Sequence, residues 1–223
     1  MNLAKWGIAL IALVLASCAA PEHGRESSTT AQAVAPSGSL LLISVPATGS
    51  DDFPRGNRPY GAQQPYGRHP GVDFMVRAGT PVIAPADGKI TEIRKFEGSR
   101  PWQGGWIVRI SHADQSHSQY LHLSEIYIEL GQSLTRGQLI GLSGAANRGN
   151  AHLHFCICAS AGRCIDFSET LDPDNFWLGG TPQCFRPGND YSRHSQRELT
   201  LPLACGDYAQ ELIARIKTTG SKR

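Results

Sequence analysis

QLIGLSGAANRGNAHLHFCIC, residues 138–158, reads as two short apolar runs, Gln138–Leu142 and His152–Cys158, separated by small and turn-forming residues. Runs of this length bounded by glycine are strand signals. The same pattern recurs upstream at Val72–Val76, Pro81–Ala84, Lys89–Arg94, Trp106–Ser111 and Gln119–His122, with Ala78-Gly79, Asp87-Gly88, Arg136-Gly137 and Gly144 as turns between the runs. Regularly spaced short strands imply an all-β, mainly antiparallel core. A helix is predicted only near the end of the chain, where Asp207 caps a segment whose Tyr208, Leu212, Ile213 and Ile216 share a face.

Composition agrees with this pattern. The chain has 223 residues, 40% of them hydrophobic and 18% charged, which suits a folded core of one domain with tails. Its 24 glycines and 14 prolines fit many turns rather than a helical bundle. A formal charge of +2 with no basic run excludes the field that grips nucleic acid.

The N-terminus reads as an address. Lys5 precedes an apolar stretch, Ile8 to Leu15, too short to span a bilayer by itself. Leu15-Ala16-Ser17-Cys18 then resembles the bacterial lipobox. That resemblance implies a signal peptide over 1–17 and a membrane anchor through a lipid on Cys18; with Ala19 next, it points to the periplasmic face of the outer membrane. Residues 18–39 carry few large apolar groups and read as a flexible tether. A folded domain is expected over 40–180, and 181–223 is expected as a C-terminal extension without an obvious core of its own.

Chemistry concentrates in four of the eight histidines. His69-Pro70-Gly71-Val72-Asp73 sets a carboxylate four residues after an imidazole, and His152-Leu153-His154 sets two imidazoles on one strand face. His122 lies within a further strand. A catalytic zinc usually takes three protein ligands and keeps one position for water. Two histidines and one aspartate leave the site a net charge of about +1, which helps acidify that water. His69, Asp73 and one of His152 and His154 are chemically sufficient ligands, with the other histidine and His122 left for proton transfer. By strand alternation Tyr120 shares the face of His122, as an oxyanion donor or a buried aromatic.

Taken together, the motifs of residues 60–174 resemble the lysostaphin-type (LytM-like) zinc metalloendopeptidases. The resemblance rests on His69-Pro70-Gly71-Val72-Asp73-Phe74 with Ala84-Pro85-Ala86-Asp87-Gly88, on Gly105–His112 leading to Tyr120-Leu121-His122-Leu123-Ser124, and on Gly137–Gly141 followed by His152-Leu153-His154-Phe155. It implies His69, Asp73 and His154 as zinc ligands and His122 and His152 as the catalytic pair. It further implies a small open-barrel or sandwich-like β peptidase domain that hydrolyses peptide cross-links in peptidoglycan. The alternatives are a non-enzymatic regulator that activates a cell-wall amidase partner, and a peptidase acting on a protein.

Some positions depart from the family's pattern. Gly144-Ala145-Ala146-Asn147-Arg148-Gly149-Asn150-Ala151 replaces a segment that usually carries Ser-Thr-Gly and Gly-Pro. Cys156 follows His-Leu-His-Phe where Glu is common; by parity it faces the side of His154, as a ligand or as a buried structural cysteine. Glu97–Gly105 reads as an enlarged loop with Trp102 at a groove wall.

With Cys18 lipidated, five cysteines remain, and an oxidising compartment permits disulfides. Cys158 and Cys164 flank a plausible hairpin turn, and Cys184 and Cys205 bracket the tail, which leaves Cys156 unpaired. Thiol counting by mass spectrometry on the oxidised protein is expected to find Cys156 alone free; three or more free thiols would refute these pairings.

Overall fold

The apolar runs order into strands wherever a partner can cover their inward face. In the computed structural model, residues 58–100, 103–147, 149–159, 164, 166–194 and 198–219 are described. The signal segment, Cys18, the tether and Trp102 lie outside the described residues. In chain order the strands are β1 (Gln63–Gln64), β2 (Gly67–Arg68), β3 (Val72–Phe74), β4 (Pro81–Ile83), β5 (Gly88–Lys95), β6 (Trp106–Ser111), β7 (His117–Ile126), β8 (Ser133–Leu134), β9 (Leu139–Ala145), β10 (Ala151–Cys158) and β11 (Thr170–Leu171). Single 3-10 turns lie at Phe167–Glu169, Pro173–Asn175 and Leu178–Gly180, and the helix α1 spans Gly206–Thr219. The all-β, mainly antiparallel reading with a short C-terminal helix agrees with this order.

β1 and β2 form a small hairpin; the other nine strands make one branched antiparallel sheet. Its trunk is β5–β6–β7, and β8 pairs with the outer side of β5. The branch point is on β7. Its first half pairs with β10, Leu121 opposite His154, and its second half pairs with β9, Leu123 opposite Ser143. The two partners meet only at the tip of their own hairpin, where Ala145 faces Ala151 and Gly144 faces His152. β3 then adds to the far side of β10, and β4 to the far side of β9.

The core lies against the inward face of these strands. Val82, Val108, Ile110, Tyr120, Leu123, Leu153 and Phe155 are fully buried there. Phe155 is its aromatic centre, with ring centroids 5.4 Å from Tyr120 and 6.1 Å from Trp177.

Two expectations are corrected. Gly88 and Gly144 are not turn residues: Gly88 opens β5, and Gly144 sits inside β9 paired with His152. Nor does the stretch after residue 181 lack core contacts. Leu199, Leu201 and Leu203 join the main cluster, Leu203 bridges to Val82, and Ala204, Ala209 and Leu212 pack on Ile83. Disulfides join Cys158 to Cys164 and Cys184 to Cys205, and Cys156 is free and buried.

Because Leu203 is only 1% exposed within the main core, Leu203→Ala is expected to destabilise the domain by about 2–5 kcal/mol, the cost of a buried leucine truncation. Calorimetry should show a single transition moved to lower temperature; an unchanged midpoint would mean that the tail does not support the core.

Candidate active site

Sheet register builds the centre of the site. In the antiparallel β3–β10 pair, Asp73 stands directly opposite His154, so their side chains emerge as neighbours on one face. His69 reaches the same place from the end of the β1–β2 hairpin, held by backbone bonds His69 N to Ala62 O (2.9 Å) and Gly61 N to His69 O (2.9 Å). Gly71 lets this segment lie flat on β10. A Cβ there would meet the Phe155 carbonyl oxygen and come within 2.9 Å of His154 Nε2.

Three donor atoms converge. His69 Nε2 and His154 Nδ1 lie 3.1 Å apart, and Asp73 Oδ1 lies 3.1 Å from the first and 2.9 Å from the second. A tetrahedral zinc bound at about 2.0–2.1 Å needs ligand atoms about 3.3 Å apart. The triangle matches that to within a few tenths of an ångström, and its two-nitrogen, one-oxygen set suits the ion. Among the described residues this is the one group of three such side chains that could hold a metal.

Electrostatics favour the ligand forms. Burial would raise the Asp73 carboxyl, but hydrogen bonds and charge interactions with His154 and His69 outweigh it and hold the group far below the usual carboxylate range. Burial pushes His154 down, toward the neutral imidazole that a metal requires. Asp73 Oδ2 points the other way, 3.8 Å from the half-exposed Arg58 guanidinium.

Two more histidines border the triangle. His152 precedes His154 by two residues on the same strand face, and its Nε2 is 3.9 Å from Asp73 Oδ1. His122 arrives from β7, its ring centroid 4.7 Å from that of His152 and 6.4 Å from that of His154. It sits where β7 exchanges β10 for β9. Between Tyr120 and Leu123 the pairing with β6 also slips by one residue, a β-bulge, and His122 takes φ 66°. A non-glycine residue held there costs about 1–3 kcal/mol. Gly105 makes the conformation possible, because a Cβ at that position would lie 2.8 Å from His122 Cα and C.

The bulge corrects the reading of Tyr120. Simple alternation puts Tyr120 and His122 on one face, but the extra residue turns them apart. Tyr120 is fully buried, and its hydroxyl shares a 2.9 Å hydrogen bond with Ser118, which in turn lies 2.8 Å from His112 Nε2. It is a core residue and not an oxyanion donor. Cys156 likewise stays outside the metal group: fully buried, it directs its thiol to the Cys164 carbonyl oxygen at 3.6 Å.

Backbone carbonyls fix the histidine tautomers. His69 Nδ1 donates to Pro59 O at 3.1 Å, His122 Nδ1 to Gly104 O at 3.0 Å and His152 Nδ1 to Asn150 O at 2.8 Å. A carbonyl can only accept, so each Nδ1 carries a proton and each neutral ring keeps its lone pair on Nε2. Burial pushes His122 down to about 4, so it is neutral at pH 7. Sequence reasoning missed these acceptors and Arg58. A main-chain oxygen has no residue signature, so only the path of the chain reveals the acceptors.

A mainly antiparallel β domain with a two-histidine, one-aspartate cluster beside two further histidines defines a metal-dependent hydrolase of the peptidase type. Residues 67–166 match Peptidase family M23, a family of zinc metallopeptidases, so this segment of the chain is a Peptidase M23 domain. The chain is 41% identical over 88 residues to peptidoglycan DD-endopeptidase ShyA of Vibrio cholerae, a match covering 39% of this chain and 19% of ShyA. It is 29% identical over 118 residues to the uncharacterized lipoprotein YgeR of Escherichia coli, covering 53% of this chain and 43% of YgeR. Among solved structures, the catalytic domain of the antimicrobial peptidase lysostaphin from Staphylococcus simulans is 31% identical; the match covers 54% of this chain and 87% of that one, with a TM-score of 0.45. The chain thus spans about a fifth of ShyA and less than half of YgeR.

Gly105→Ala is expected to lower kcat by about 10²-fold, the scale of a 1 Å displacement of a catalytic group, while zinc stoichiometry stays at the wild-type value. Atomic absorption together with a turnover assay separates the two effects, and loss of zinc would show that Gly105 supports the ligand triangle instead.

Proposed function

We propose that this chain is a zinc-dependent endopeptidase that hydrolyses peptide cross-links in peptidoglycan. His69, Asp73 and His154 hold the ion, and His122 and His152 are the catalytic pair. The observation that carries this reading is the convergence of three ligand atoms within hydrogen-bond distance of one another beside two histidines whose Nδ1 atoms are already committed. ShyA, named for the same chemistry on peptidoglycan, supports the substrate class.

Zinc, when bound, supplies Lewis-acid activation of water and of the scissile carbonyl. The protein residues handle the protons. A neutral Nε2 on one of the pair accepts the proton of the attacking water, and a protonated ring steadies the oxyanion or donates to the leaving amine. Burial keeps His122 in its accepting form. Asp73 stays ionised and so lowers the net charge at the ion, while its bonds to both ligand histidines hold the triangle in shape.

The envelope is the proposed place of action. In this reading residues 1–17 are removed, Cys18 carries the lipid, 18–39 form the tether, the peptidase domain extends over 40–180, and 181–223 form a C-terminal extension. YgeR, named a lipoprotein, supports an anchored location, and in this reading the anchor sits at the periplasmic face of the outer membrane. A non-enzymatic regulator would have no use for three converging ligand atoms beside two further histidines, so that reading is set aside.

The test is digestion of isolated peptidoglycan by the chain from residue 19 onward, with and without chelator, and mass spectrometry of the released fragments. Cross-linked dimers should fall and monomers rise only without chelator. Release of the same fragments in chelator, or of none at all, would refute the reading. Asp73→Asn and His154→Ala should lose both zinc and turnover. His122→Ala should keep zinc and lose about 10²–10⁴-fold in kcat, the span of general acid–base catalysis. Loss of zinc from His122→Ala would overturn the division of roles.

A further inference from the structure

The enlarged loop between β5 and β6 touches His122 twice. Its Gly104 carbonyl accepts the His122 Nδ1 proton at 3.0 Å, and the Phe96 ring stacks over the imidazole with centroids 6.3 Å apart. The base of the loop is closed by Gly104 N to Phe96 O at 2.8 Å and Phe96 N to Gly105 O at 2.7 Å. It reaches across to the tip of the β9–β10 hairpin and meets Asn147 there. The Asn147 side-chain amide donates to Gly98 O at 2.5 Å and Arg100 O at 3.3 Å, and the Asn147 backbone N–H donates to Gln103 O at 2.6 Å. Asn147 Oδ1 also lies where a Cβ on Gly104 would come within 2.8 Å of it, so the two residues are in close approach.

We infer that Asn147 is a positioning residue: it clamps Gly98, Arg100 and Gln103 of the β5–β6 loop to the β9–β10 hairpin and so aims the Gly104 carbonyl that fixes the tautomer and orientation of His122. This rests on the catalytic assignment of His122 proposed above. The chemistry of the clamp is specific to asparagine. One amide nitrogen offers two hydrogens to two carbonyls at once, and both acceptors are main-chain oxygens that can do nothing but accept. An aspartate of the same shape would set a charged acceptor against two carbonyls. An alanine would remove both side-chain hydrogen bonds and leave only the backbone bond to Gln103. Because β10 also carries His152, the clamp joins the backbone segments that present the two catalytic rings. Asn147 lies in the segment that departs from the usual family pattern before His152, so this way of holding the loop belongs to the departure rather than to the shared motifs.

The test uses the zinc-loaded full chain in detergent micelles, with 15N-labelled histidine and the His122 signals assigned by their loss in His122→Ala. Wild type should show His122 with its proton on Nδ1. In Asn147→Asp and Asn147→Ala that signature should shift toward the Nε2–H or an averaged form. kcat on peptidoglycan should fall about tenfold or more, as when a catalytic group is displaced, with KM and zinc content unchanged. Asn147→Asp keeps the shape, so an effect in both variants identifies the lost hydrogen bonds and not lost packing. A wild-type tautomer signature and wild-type kcat in Asn147→Asp would overturn the inference. If the wild-type chain cleaves no peptidoglycan, the catalytic assignment falls, while the tautomer signature alone still decides whether Asn147 positions His122.

Discussion

One strand cannot pair with two others along the same edge unless it changes partners, and β7 does so at His122. Up to Leu121 its edge is covered by β10, and from Leu123 onward by β9. The fork between those partners makes a notch in an otherwise continuous sheet. The cluster of His69, Asp73 and His154 lies on the β10 side of the notch, because β3 lies beside β10 and brings Asp73 opposite His154. The strained backbone of His122 is therefore the geometric condition for bringing a β7 side chain beside ligands on β3 and β10. Its cost of about 1–3 kcal/mol is offset by the fully buried side chains that flank it, Tyr120 and Leu123.

Asp73 ties the site together, pairing with both His69 and His154, while burial pushes His154 toward the neutral form. The flanking pair, like His69, is held through Nδ1 by a main-chain oxygen. That arrangement leaves Nε2 of each ring free for chemistry.

Much of this was legible in the sequence because the relevant signals are local. Short apolar runs and the turn residues between them located the seven principal strands, and His69 through Asp73 and His152 through His154 announced themselves by spacing. What was not legible depends on pairing across the chain. The bulge that separates Tyr120 from His122 exists only relative to β6, so alternation alone set both on one face. Leu199, Leu201 and Leu203 do alternate, but Pro202 interrupts the run, and the segment joins the core by isolated bridges rather than as a strand. The two-residue strands β1, β2, β8 and β11 are too short to carry any periodicity.

The carbonyls that orient His69, His122 and His152 give the site an uneven tolerance of change. Every amino acid supplies the same main-chain oxygen, so replacing the side chain at Pro59 or Asn150 leaves the acceptor in place. Adding or removing one residue nearby moves that oxygen by a full step of the chain. The centre is therefore buffered against alterations of residue identity at these points and vulnerable to alterations of segment length.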